Sequence, residues 1–158
     1  MSAWQDIRRR TAHLVHMIFG AGVVAALGVA FGVPPPIIQG GDAVHALFLM
    51  LLAWSLLSFP FAAVLGGERM SAQRVVADLH GDADPEHVIR LAVAQFRTGA
   101  LIMALIGASC ALAGLLFYLL SGDRQRPCIF NTRSGLQYLL TRRALRQAGA
   151  ELTPLMES

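Results

Sequence analysis

Three long runs without a single Asp, Glu, Lys or Arg constrain this chain more than any other feature: Leu14 to Val33, Val44 to Leu65 and Gly99 to Leu120. The hydrocarbon core of a bilayer is about 30 Å thick and takes about 20 helical residues to cross, so each run is long enough. Lipid offers no water to backbone N–H and C=O groups, which forces such runs into helices. The balance of 55% hydrophobic to 15% charged residues fits the same environment, since a soluble domain carries about 25% charged. The expected fold is therefore all-α. It is an integral membrane protein with three transmembrane helices, plus short amphipathic helices in the middle loop and the C-terminal tail.

Punctuation divides the rest. Residues 1–13 form an N-terminal interfacial segment. Pro34-Pro35-Pro36 through Gly40-Gly41-Asp42 cannot continue a helix and is too short for a domain, so the first two spans make a tight antiparallel hairpin. Residues 66–98 form a polar loop that reads as two helical pieces. One covers about Ser71 to His80 and ends at Gly81; the next restarts at Asp84-Pro85-Glu86, with Asp84 as N-cap and Pro85 in the first turn, and runs on into the third span. After Leu120 the stretch SGDRQRPCIFNTRSG is rich in helix breakers. The following LQYLLTRRALRQAGA spaces Leu136, Leu140 and Ala144 by four, as a short basic helix would. Residues 121–158 are thus a basic tail. The first apolar run is too long for a cleavable signal peptide and is not followed by a small-residue cleavage site, so it stays as an anchor.

All 13 basic residues are arginine, which removes lysine-based Schiff-base, general-base and P-loop chemistry from consideration. A formal charge of +3 is too small and dispersed for a nucleic-acid partner. Cys110 lies in an apolar run and Cys128 in the polar tail, at depths too different for a bridge. With the N-terminus inside, Arg8, Arg9, Arg10, Arg69, Arg74, Arg90 and Arg97 face the cytoplasm, and Arg124, Arg126, Arg133, Arg142, Arg143 and Arg146 fall outside. Seven against six decides nothing, but the arginine-free hairpin favours this orientation. It leaves a basic tail on the outer side, away from its natural electrostatic home on an anionic inner leaflet.

Four groups of residues stand out. Gly20, Gly28 and Gly32 repeat at multiples of four on the first span, and Ala104, Gly107, Ala108 and Ala111 supply small side chains on the third; both suit close helix–helix packing. Arg8, Arg9, Arg10, Arg142, Arg143 and Arg146 are placed to contact lipid headgroups. His13 and His16 open the first span, but the hairpin sends the obvious haem-ligating partner, His45, to the opposite face, so they read as interfacial polar groups. Asp78, His80, Asp82, Asp84, Glu86 and His87 crowd the middle loop without the spacing of an EF-hand and read as a solvated corner. Pro60 is expected to kink the second span, with Ser55 or Ser58 compensating.

These features imply no catalytic residue, metal or cofactor. The function expected is that of a non-enzymatic accessory, assembly or scaffold subunit of a larger bacterial inner-membrane complex. Its partners would be other integral membrane proteins met through transmembrane helices, in a hetero- or homo-oligomer, and anionic lipids. The alternatives are a component of a channel, secretion or conjugation assembly, and a redox membrane anchor using the interfacial histidines.

Overall fold

The computed structural model describes residues 3–32, 41–77, 84–121 and 126–157. Its helices are α1 (Ala3–Gly32), α2 (Asp42–Ala62), α3 (Ala72–Ala77), α4 (Pro85–Ser121) and α5 (Pro127–Glu157). Three stretches are long and apolar enough to cross a membrane: Ala3–Gly28, Asp42–Met70 and Glu86–Ser121. The last two contain the uncharged runs Val44 to Leu65 and Gly99 to Leu120 with polar turns added, whereas the first takes in the polar N-terminal turns and ends at Gly28, within the run that begins at Leu14. Asp78, His80, Gly81 and Asp82, assigned above to the middle-loop corner, and residues 34–40 of the connection between the first two spans lie outside the described residues.

Helix α4 is the hub, and α1, α2 and α5 all pack on it. It starts where the sequence indicates: Glu86 N–H donates to the Asp84 carboxylate at 3.3 Å, and His87 N–H to the Asp84 carbonyl at 2.8 Å. From Pro85 it continues unbroken into the third span. Pro60 lacks an N–H for the Leu56 carbonyl, and beyond it the chain loosens into a π-helical turn (Ala63–Gly67) and then tightens into a 3-10 turn (Glu68–Met70). Ser58 directs its hydroxyl to the Ser55 carbonyl at 2.7 Å, not to the carbonyl that Pro60 frees. The π turn meets α4 backbone to backbone, since a Cβ on Gly66 would lie 2.8 Å from the Gly99 carbonyl oxygen. Trp54 Nε1 also donates to Ser109 Oγ at 3.0 Å, tying α2 to α4. Such bonds in membrane bundles contribute about 0.6 kcal/mol on average, so close packing carries most of the association.

The C-terminal segment departs from expectation. The polar stretch around Asn131 is no break: Pro127 opens a single helix that lies antiparallel along α4. Phe130 meets Gly114, Ser134 Oγ donates to the Gly107 carbonyl at 3.1 Å, and Leu145 and Leu152 join Phe96 in the core. Helix α5 therefore runs beside the stretch of α4 that is apolar enough to cross a membrane. Its faces fit this placement. Ser134, Gln137 and Thr141 are buried, whereas Leu136 and Leu139 are 50% and 57% exposed, the reverse of an amphipathic helix in water. Ser134, from the stretch that reads as a loop, is turned inward with Gln137 and Thr141.

This return brings the two ends of the chain together. Trp4 Nε1 donates to Thr153 Oγ1 at 3.2 Å, and its ring meets Phe96 edge-on at 5.2 Å. The expected placement of the tail opposite the N-terminus is therefore corrected: both ends share one face. Arg142, Arg143 and Arg146 move with it, and ten of the described arginines gather at that end against Arg126 and Arg133 elsewhere.

Small residues divide as follows. Ala104, Gly107, Ala108 and Ala111 are buried at helix crossings. Gly20, Gly28 and Gly32 are not: a Cβ on any of them would meet nothing within 4 Å among the described residues, so none of them packs closely against another described helix. The close approach of α1 to α4 is made instead by Gly22, whose added Cβ would touch Ala108 and Ala111 at 3.7 and 3.9 Å. Gly28→Ile should accordingly leave folding intact, with a melting temperature in detergent within about 2 °C of the parent, because there is no neighbour to overpack.

Candidate functional site

Toward the shared end of the bundle, a cleft of about 380 Å³ lies between the first turns of α1 and the middle turns of α5. Trp4 pins the start of α1 to α5, and one turn later Arg8 reaches across. Gly149 makes this possible, since a Cβ there would fall 2.9 Å from the Arg8 guanidinium carbon. Arg9 follows on α1. From α5, Tyr138, Arg142 and Arg146 repeat every four residues along the side that faces α1, and all three line the cleft. The floor is apolar, formed by Val15, Phe96 and Leu145.

Four arginines thus surround one cavity whose lining includes no Asp or Glu. Two ion pairs lie elsewhere, Arg10 with Asp6 at 2.8 Å and Arg90 with Glu86 at 3.8 Å. A concave surface lined by one sign of charge focuses potential and concentrates counter-ions. Guanidinium groups also present a planar fork of donors that matches phosphate oxygens two at a time. Such a lining has the donors and the charge to accept an anion.

Of the six arginines expected at lipid headgroups, Arg8, Arg9, Arg142 and Arg146 converge here, whereas Arg10 pairs with Asp6 and Arg143 stays outside. His16 lines the cleft too. Its Nδ1–H donates to the Ala12 carbonyl at 2.6 Å, and its ring stands edge-on to Tyr138 at 5.2 Å. His13 is exposed on the outer side of α1, and His45 sits in the first turn of α2 at the far end of the bundle. Among the described residues no three His, Cys, Asp or Glu side chains gather as a metal would require. Tyr138 and Gly149 were missed by sequence reasoning. The four-residue spacing of Tyr138, Arg142 and Arg146 was visible, but nothing indicated that α1 lay opposite.

A second cavity, of about 330 Å³, continues from the first toward the middle of the bundle, and His16 and Tyr138 line both. Phe19 and Val23 of α1 face Gly135 of α5 across it, beside the uncovered Gly20.

One arginine lies deeper. Arg133 stands next to Ser134, whose hydroxyl reaches Gly107 within the third span, and its guanidinium covers the Phe59 ring at 4.9 Å. Its Nε is buried without a hydrogen-bond partner. The cation–π contact is its stabilising neighbour in that zone.

No protein-family model, no curated protein and no solved structure matches the chain.

Proposed function

We propose that the chain is a non-enzymatic accessory, assembly or scaffold subunit of a larger bacterial inner-membrane complex. It lies with its arginine-rich end toward the cytoplasm and docks partner helices on its uncovered faces. The observation that carries this is the bare G-x-x-x-G of α1. Gly28 and Gly32 are left open by the described residues, and in lipid it is such small-residue surfaces that admit the close approach of a second helix. The ten arginines at one end support the orientation by the positive-inside rule, and they support contact with anionic lipid on that leaflet.

Mild-detergent extraction tests this reading. The parent is expected to migrate at a native mass well above its 17.0 kDa, with other membrane proteins. Gly28→Ile is expected to fold as the parent does and to lose that association. A parent that runs as a free monomer, or a Gly28→Ile variant that stays fully assembled, contradicts it. Arg133 favours a second reading, a component of a channel, secretion or conjugation assembly, because a charged residue inside the apolar zone is costly and usually marks a substrate or ion pathway. In that case Arg133→Leu abolishes transport by the assembled complex without loosening it.

A further inference from the structure

We propose that the groove between α1 and α5 holds one anionic phospholipid, with its phosphate among Arg8, Arg9, Arg142 and Arg146 and one acyl chain along Gly20 and Gly135. This rests on the contact with anionic lipid given above and makes it a single built site.

Charge supplies the first argument. The four cleft arginines form no ion pair with a described residue, so no carboxylate competes with an incoming anion for them. A phosphate diester offers two oxygens to their forks at the depth where headgroups lie. Shape supplies the second. Below His16 and Tyr138 the groove loses its charge. Its deeper part is walled by Phe19, Val23 and Gly135, and the Ser134 hydroxyl there is already committed to the Gly107 carbonyl. Glycine on both facing helices leaves the space open, because a Cβ at Gly20 or at Gly135 would meet nothing within 4 Å. Length supplies the third. Eleven residues separate Arg9 from Gly20, roughly 16 Å of helix, close to the ~15 Å of hydrocarbon in one leaflet. A free phosphate would use the cleft alone; a phospholipid uses the cleft and the groove.

Native mass spectrometry of the full chain in detergent decides between them, with phosphatidylglycerol titrated in, phosphatidylcholine as the zwitterionic comparison and glycerol 1-phosphate as the free-phosphate probe. One phosphatidylglycerol per chain is expected, held at least about tenfold more tightly than phosphatidylcholine. R8Q/R142Q should weaken it by about thirtyfold, each arginine beside an anionic lipid contributing about fivefold. G20L/G135L should weaken it by about tenfold or more while melting no lower than the parent, because leucine enters open space and is the better helix former. R10Q/R143Q removes the same charge from outside the cleft and should change binding by less than about threefold. Parent-like binding by G20L/G135L, with glycerol 1-phosphate competing, would make the cleft a free-phosphate site and overturn the lipid. An R10Q/R143Q variant as impaired as R8Q/R142Q would replace the site with diffuse surface charge, leaving the basic end on anionic lipid intact. No phosphatidylglycerol adduct with any variant or the parent would overturn both.

Discussion

Leucine in place of Gly107 is expected to release helix α5 from the bundle. Gly107 sits where α1, α4 and α5 meet, and an added Cβ would lie within 3.0 Å of the Phe19 ring and of Gln137. Phe19 is buried and in edge contact with Tyr138, so it yields only toward the second cavity, and Gln137, 1% exposed, has no open side. The Gly107 carbonyl also accepts the Ser134 hydroxyl, so a shift of either helix breaks the bond that joins them at this depth. Overpacking of a tight core costs about 1–3 kcal/mol, and a site that crowds two other helices belongs at the upper end. Once α5 lifts away, Ser134, Gln137 and Thr141 lose their protein surroundings and face lipid, which adds to the cost. Gly107→Leu should therefore melt in detergent well below the parent and expose the Arg142-Arg143 bond to trypsin, with Gly107→Ala intermediate. A Gly107→Leu chain that melts and resists trypsin like the parent would mean that the crossing is not closed in the folded protein.

Gly107 was legible in the sequence as a packing residue; Gly20, Gly28 and Gly32 were not legible as uncovered ones. A span that is apolar on every side gives no sign of which face meets protein and which meets lipid, because both surroundings are apolar. The three uncharged runs and the Asp84-Pro85 helix start were plain, since each depends only on local residues. Helix α5 was hidden by its own pattern. Its inward Ser134, Gln137 and Thr141 and outward Leu136 and Leu139 average to no hydropathy at all, and a cluster such as Asn131 to Gly135 reads as a loop. Yet Pro127 in the first turn and inward polar residues three and four apart were signals of a buried helix. The arginines of the cleft were individually recognisable as headgroup contacts. Their convergence was not, because it exists only when α5 returns to the N-terminal end.

That return is also what resolves the arginine count. With the tail on the far side, seven arginines face six and the positive-inside rule has little to act on. With α5 running back along α4, ten of the described arginines lie at one end against two, the asymmetry on which the positive-inside rule acts. The fixed points are the Trp4 to Thr153 hydrogen bond at one end and, at the other, the packing of Phe48 against Phe117 and Phe130 at 5.3 and 6.0 Å. Together they place α5 beside α4 along the full depth of the bundle.

The most direct measurement is the location of the C-terminus in cells, read with a reporter active only outside the cytoplasm and a fluorescent one that folds only inside. Fused after Ser158, which leaves the whole chain in place, the outside reporter should be silent and the fluorescent one bright, as for a fusion after Asp84. Fused after Asp42, the pattern should reverse. An active outside reporter after Ser158, in a chain whose Asp42 fusion is also active, would place the C-terminus opposite the N-terminus and contradict the crossing of α5 on which the arginine cleft depends.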